Sequence, residues 1–339
     1  MRPTSFAALA VVTVVSLAIA LSTYAAQNRW SQASASGAGL FPGLAAQSAK
    51  IARIELKQGD KVLTLARDKE SWALADRAGY PAKSEPVRAL LAKLARAELV
   101  ESKTRNKERH ALLELEDPAA KGAKSRLLRL LDDKGSVIAE AVIGKKRLDA
   151  FGASKSGTYV RKPGEAQTWL SNADLDVPVA VRDWVQPGIL DVPSAKIAKV
   201  TIEIPGEEPL TITRDAADAA KFTLVAIPDG KKLKDGAGID AIVRAAGNIE
   251  LEDVRKLAAA PTGEVSVAKL EADGGLAVTL KLRKDGEDTW VSIEATGADG
   301  DAKKTAEEIT ARVQGWEFKV PANKAQSILK RRADLFEAS

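Results

Sequence analysis

Short runs of alternating hydrophobic and polar positions fill most of the chain after residue 50. In KIARIELKQGDKVLTLARDKESWAL, Lys50 to Leu74, Ile54 and Leu56 alternate with Arg53 and Glu55. That is the period of a half-buried strand. The segment reads as a strand, a turn with Gly59, a second strand ending in Arg67-Asp68, and a third strand led by Trp72. KIAKVTIEIPGEEPLTITRDAADAAKFTL, Lys196 to Leu224, repeats this order, with Arg214-Asp215 and Phe222 in the matching places.

A helical period follows in each copy. Val87, Leu90, Leu91 and Leu94 share one face of a helix predicted over Ser84 to Leu99, and Ile239, Ile242, Val243 and Ala246 repeat the spacing. Ser84 suits the cap and Pro86 the first turn, where its missing amide hydrogen costs nothing. A small helix is expected next in each copy, Asn106 to Glu114 and Glu252 to Ala260. A meander then runs through Arg126 to Gly144 and Gly157 to Leu170 in the first copy, and Gly275 to Ala295 in the second. A helix near Ala302 to Val313, a strand Trp316 to Val320 and a helix Ala322 to Leu335 complete the chain. Tight turns such as Asp133-Lys134-Gly135 and Asp285-Gly286 force antiparallel pairing. The expected fold class is α+β: two tandem repeated domains, each a mostly antiparallel sheet with helices packed on one side. They span 50–190 and 191–339, joined by a proline-containing connector with one helix around Val179 to Val185.

The N-terminus breaks this pattern. After Arg2 no charged residue appears until Arg29, and Phe6 to Ala26 has the length and hydropathy of a transmembrane helix. The expectation is a membrane anchor or signal segment over 1–28, a flexible tether over 29–49, and a single-pass inner-membrane protein with its soluble body in the periplasm. The chain holds no cysteine, which removes disulfides, thiolate nucleophiles and cysteine metal sites. Its 51 basic and 46 acidic residues leave a formal charge of +5, a balance that suits an acidic partner or anionic lipid.

Little of the composition points to catalysis. His110 is the sole histidine, so no multi-histidine metal centre is possible. Lys121-Gly122-Ala123-Lys124-Ser125 imitates a phosphate-binding loop, but Ala123 separates glycine from lysine and a strand follows. Carboxylates gather at Glu114, Glu116, Asp117 and at Asp174, Asp176, Asp183; a carboxylate-dependent hydrolase would need two of them across a cleft. The basic turn Lys145, Lys146, Arg147 offers contact with a phosphate, lipid headgroup or wall polymer, and Lys231 to Lys234 is a second such turn. Trp184, in RDWVQPG, stands out as an interaction or interdomain contact. Basic residues are not interleaved with aromatics, so a nucleic-acid groove is not expected. No cofactor or metal site is expected either.

The runs LLRLLDDKGSVIAEAVIGKK, GTYVRKPGEAQTWL and DVPVAVRDWVQPGILDVPSAKIAKVTIE carry a resemblance. With Gly144 before a basic turn, the Tyr159-Val160-Arg161 strand and the segment from Trp184 to Val200, the chain resembles a bacterial domain family of unknown function, DUF4340. The segment LEDPAAKGAKS departs from that pattern in lacking a glycine ahead of its acidic-proline turn. The resemblance implies a membrane-anchored, extracytoplasmic protein, with some members beside ABC-type permeases and gliding-motility auxiliary proteins. It brings no catalytic or ligand residues. The expected function is therefore a non-enzymatic, membrane-anchored accessory or scaffold subunit of an ABC-transporter-like or other envelope complex, with a binding module for an envelope polymer or anionic lipid, and then a carboxylate-dependent hydrolase, as the alternatives.

Overall fold

The computed structural model describes residues 37–337 apart from 219, 235 and 260–262, together with Ser16. The chain divides into two compact units. Unit one holds the residues up to Arg67 and Glu85–Val179; unit two holds Asp68–Ser84 and Ala180–Ser339. The first copy contributes β1 (Ala38–Gly39), α1 (Leu44–Gln47), β2 (Arg53–Gln58), β3 (Lys61–Asp68), β4 (Ser71–Leu74), β5 (Tyr80–Ala82), α2 (Ser84–Arg96), β6 (Glu98–Ser102), β7 (Arg126–Leu131), β8 (Val137–Arg147), β9 (Gly157–Arg161) and β10 (Thr168–Ser171). The second contributes β11 (Gly188–Asp191), β12 (Ile197–Glu203), β13 (Leu210–Arg214), β14 (Phe222–Leu224), α3 (Ile239–Gly247), β15 (Asn248–Glu250), β16 (Asp253–Lys256), β17 (Val265–Ala272), β18 (Leu276–Asp285), β19 (Asp288–Gly297), α4 (Gly300–Val313), β20 (Trp316–Val320) and α5 (Ala322–Ile328).

The α+β class and its antiparallel sheets are what the alternation predicted. In unit one the strands run β1-β6-β10-β9-β8-β7-β2-β3; in unit two they run β16-β20-β19-β18-β17-β12-β13-β14. Reading β6 with β16, β7 to β10 with β17 to β20, and β2 and β3 with β12 and β13, the order is the same. The likeness begins before Lys50. The Leu40 amide donates to the Ala97 carbonyl just after α2, and the Val192 amide donates to the Gly247 carbonyl at the end of α3, both at 2.7 Å. Residues 38–50, read from composition as the end of a tether, thus form β1, α1 and a 3-10 turn.

Register aligns the two sheets residue by residue. Leu56 stands beside Leu128, and Leu128 beside Ala141. In unit two Ile202 stands beside Ala268, and Ala268 beside Leu280. Ile143 therefore matches Leu282, and Gly144 matches Arg283. On this shared face the side chains are buried: Ile54, Leu56, Leu128 and Leu130 in unit one, and Val200, Ile202, Leu270, Leu280 and Phe318 in unit two. In unit two α3 and α4 bury Ile242, Val243, Ala306 and Ile309, with α3 against β12 and β14 and α4 against β18 and β19.

Several expectations are corrected. No helix among the described residues is long and apolar enough to cross a membrane. The longest, α4, has 14 residues, about 21 Å against the roughly 30 Å of a hydrocarbon core, and it keeps a polar face. The predicted anchor, Phe6 to Ala26, lies outside the described residues except for Ser16. The membrane-anchored, inner-membrane and periplasmic reading therefore has no support in the structure and is set aside, for the resemblance as for the fold. The small helix expected over Glu252 to Ala260 is instead β16, paired with β20; Asp253 to Lys256 alternates as a strand does. The connector helix shrinks to a 3-10 turn, Val181–Asp183. The last helix stops at Ile328, and a separate 3-10 turn covers Arg332–Leu335. β17 is a further strand, so the second meander contains one strand more than expected.

Candidate functional site: the clefts and edge of unit two

The β12–β13 turn, the ends of β17, β18 and β19, and α5 with the chain after it enclose an open cleft of about 750 Å³. Ile204, Leu282, Ala325 and Leu329 give it apolar walls, while Glu264, Glu287 and Lys284 stand among its lining residues. Some of its charges are already engaged: Arg331 pairs with Glu207 at 3.4 Å, and the Lys330 ammonium donates to the Ala237 carbonyl at 2.8 Å. A second cleft, of about 500 Å³, shares Glu207 and Asp334 with the first and adds Pro228, Lys231, Lys234, Arg332 and Phe336. Arg332 lies 3.5 Å from Glu208 and donates to the Ala226 carbonyl. Its Nε is buried without a hydrogen-bond partner among the described residues. Acidic and basic side chains thus alternate along both clefts. Such a lining binds by contact area and by matched charge.

The face of the unit-two sheet away from its core is laced with ion pairs. Glu317, its side chain 4% exposed, accepts from Arg283 at 2.7 Å and from Arg255 at 2.9 Å. Arg255 also reaches Asp285 at 2.6 Å and stacks 3.9 Å over the Trp290 ring. Burial works against the Arg255 charge, but hydrogen bonds to Asp285 and Glu317 outweigh it and raise its pKa. The hydrogen bond from Arg255 holds the Asp285 carboxyl below its ordinary range. Lys199–Glu271, Lys269–Glu203 and Lys281–Glu294 continue the pattern. These are cross-strand pairs of a solvated sheet face, and each contributes little by itself.

Unit two also contains the β4–β5 hairpin. Arg77 makes a bidentate contact with Asp253, 2.6 and 2.9 Å, and this hydrogen bonding raises its pKa. Tyr80 packs edge-on to Trp316 at 4.9 Å and to Phe318 at 6.1 Å. Burial raises the pKa of the Tyr80 hydroxyl.

The residues singled out from the sequence fall in different places. Trp184 is buried in unit two, its carbonyl accepting from the Lys83 amide at 2.7 Å. Lys146 pairs with Asp174 at 2.7 Å and Arg147 approaches Glu101 at 3.8 Å, while Lys145 stays exposed. Two charges of that basic turn are thus turned toward neighbouring carboxylates. His110 is buried in unit one with Nε2 2.9 Å from the Ala166 carbonyl. The Lys124 and Ser125 amides, which a phosphate would need, both donate to the Glu116 carboxylate at 2.5 and 3.0 Å. Asp176 lies 3.8 Å from Arg126. Among the described residues no group of three or more His, Asp or Glu could hold a metal ion. The larger cleft has no local signature in the chain, because Ile204, Leu282 and Leu329 come from three distant stretches. The basic turn Lys231 to Lys234 is the local sign of the smaller one, which Lys231 and Lys234 line.

Fold and register define a duplicated α+β protein whose second unit bears the open concave surface. A family model described as Domain of unknown function (DUF4340) matches residues 72–271, more than half of the chain. The chain belongs to that family, as its motifs suggested, and the matched span runs from the first copy into the second. Neither a curated protein nor a solved structure matches it.

Proposed function

We propose that this protein is a non-catalytic accessory module that holds a segment of a partner protein, and that unit two makes the contact. The observation that carries this reading is the larger cleft, where apolar walls from Ile204, Leu282 and Leu329 stand beside the carboxylates Glu264 and Glu287. Apolar anchorage with charged groups at hand suits a peptide that buries small side chains and presents its own charges. A transport permease or its ATPase, the partner implied by the family resemblance, is the first candidate to seek.

Ala322 is exposed and lines this cleft, so Ala322→Trp fills it without disturbing the core. A photocrosslinking residue at Gln326, also exposed and lining, is expected to yield one dominant protein adduct in cells. Ala322→Trp should abolish that adduct. An adduct pattern unchanged by Ala322→Trp would remove the cleft from consideration.

A further inference from the structure

The two copies differ at their third strand. In the first, β4 is completed by β5: Trp72 faces Ala82, Ala73 faces Pro81 and Leu74 faces Tyr80, all antiparallel. In the second, β14 pairs with β13 through Ile212–Leu224, Thr213–Thr223 and Arg214–Phe222, and no strand lies on its other side among the described residues. Residues 225–234 form no strand along the edge, and the chain meets it again only where Asp240 at the start of α3 accepts from the Phe222 amide.

The open edge has usable hydrogen-bonding groups. The Val225 amide donates to Thr211 and the Asp215 amide donates to the Lys221 carbonyl, both at 2.9 Å. In an antiparallel pair, bonded positions alternate with positions whose amides point away. Residues 221, 223 and 225 therefore bond inward, and Phe222 and Leu224 turn their backbone groups outward. The Phe222 amide confirms the direction, since it donates to Asp240 Oδ1 at 3.2 Å on that side. The Leu224 amide, its carbonyl and the Phe222 carbonyl have no partner among the described residues. Beyond the edge, Val225 and Ile227 are 42% and 46% exposed. Through Ala226, whose carbonyl meets Arg332, and Pro228 the edge opens onto the smaller cleft.

We propose that the outer edge of β14 takes an extended segment of a partner protein as an added antiparallel strand, in the place that β5 takes beside β4. The first copy shows the occupant's chemistry: a bulky side chain opposite Leu74, supplied there by Tyr80. The equivalent residue of the partner stands opposite Leu224, and its flanking apolar residues cover Val225 and Ile227. Main-chain bonds supply affinity and the side-chain positions supply selectivity. This rests on the partner-binding role proposed above and adds to its cleft a strand edge of the same unit.

The test uses the full chain and a displayed library of short random peptides. Selected peptides should be rich in alternating apolar residues. Their affinity should fall about tenfold or more in Val225→Lys/Ile227→Lys, both exposed positions. Binding should also slow exchange of the Leu224 amide about tenfold or more. Peptides that leave Leu224 exchange unchanged and are lost only in Ala322→Trp would overturn the edge proposal and keep the cleft. Failure to select any binding peptide would overturn both. Concentration-dependent dimers in which Leu224 is protected would assign the edge to a second copy of the chain and overturn the partner assignment.

Discussion

Units one and two share a strand order but treat the second face of their sheets in opposite ways. Unit one covers part of it. Residues 103–125 form a strap that crosses β8, and its Leu113 and Leu115 pack on Val142, Tyr159 and Leu170 together with Leu127, Ala150 and Phe151. The Arg161 guanidinium holds the strap by donating to the Leu115 carbonyl at 3.1 Å, and burial lowers its pKa. The crossing is possible because position 144 is glycine: a Cβ there would collide with the Leu113 carbonyl and sit 2.9 Å from the Leu115 side chain. In unit two the matching position is Arg283. Its side chain fills the space that the strap takes in unit one, and Glu317 neutralises it. Buried Thr168, the counterpart of Glu317 by register, needs only a hydroxyl, which donates to the Thr104 carbonyl at 2.9 Å. One register position thus separates a sheet partly covered on its second face from a sheet whose second face carries ion pairs.

The sharpest way to break this contrast is Gly144→Ala. It should cost about 4 kcal/mol, because the strap cannot move without stripping its apolar cluster. Chemical denaturation should then show unit one unfolding before unit two. Leu115→Ala tests the cluster itself. Leu115 is fully buried, and a loss of about 3 kcal/mol is expected, confined to the same early transition. A loss shared equally by both units would contradict a local second core.

In unit two, Arg283→Met should cost about 2 kcal/mol by leaving Glu317 to Arg255 alone. Adding Glu317→Leu should restore most of that, since a well-packed apolar pair avoids desolvating two charges. A double variant as unstable as the single one would mean that the ion pair itself stabilises the sheet. The smallest effect concerns Asp285. Its folded pKa is lowered by Arg255, so its contribution is present above the ordinary carboxylate pKa of about 4. That contribution is lost as pH falls through the lower folded value. Carboxyl NMR titration should place Asp285 below the ordinary range, and Arg255→Gln should bring it back. An unchanged titration in the variant would remove Arg255 as the cause.

The contrast between the faces was partly legible in the chain. β18 reads LAVTLKLR, a strict alternation that leaves Thr279, Lys281 and Arg283 on the open face. β8 carries the unbroken run Ala141-Val142-Ile143-Gly144, the pattern of a strand covered on both sides. Turns, helices and the duplication were readable because each depends on neighbours a few residues apart. Asp253 to Lys256 departs from the expected helix because four residues carry too little period, and their pairing with β20 is decided by register. The larger cleft and the open edge of β14 had no local signature. The missing counterpart of β5 shows only when the two copies are laid out as sheets.

The α+β class, the repeat and the longer strands and helices were determined by the sequence, because periodicity and turn chemistry act over short range. Tertiary structure decided the rest. It placed residues 68–84 in unit two, joining Arg77 to Asp253 across 176 positions. It buried Glu317 between two arginines, and among the described residues it left β14 without an outer strand. Such choices depend on distant segments meeting, where the cost of desolvating a charge or stranding a backbone group is set by the partner that arrives and not by the residue alone.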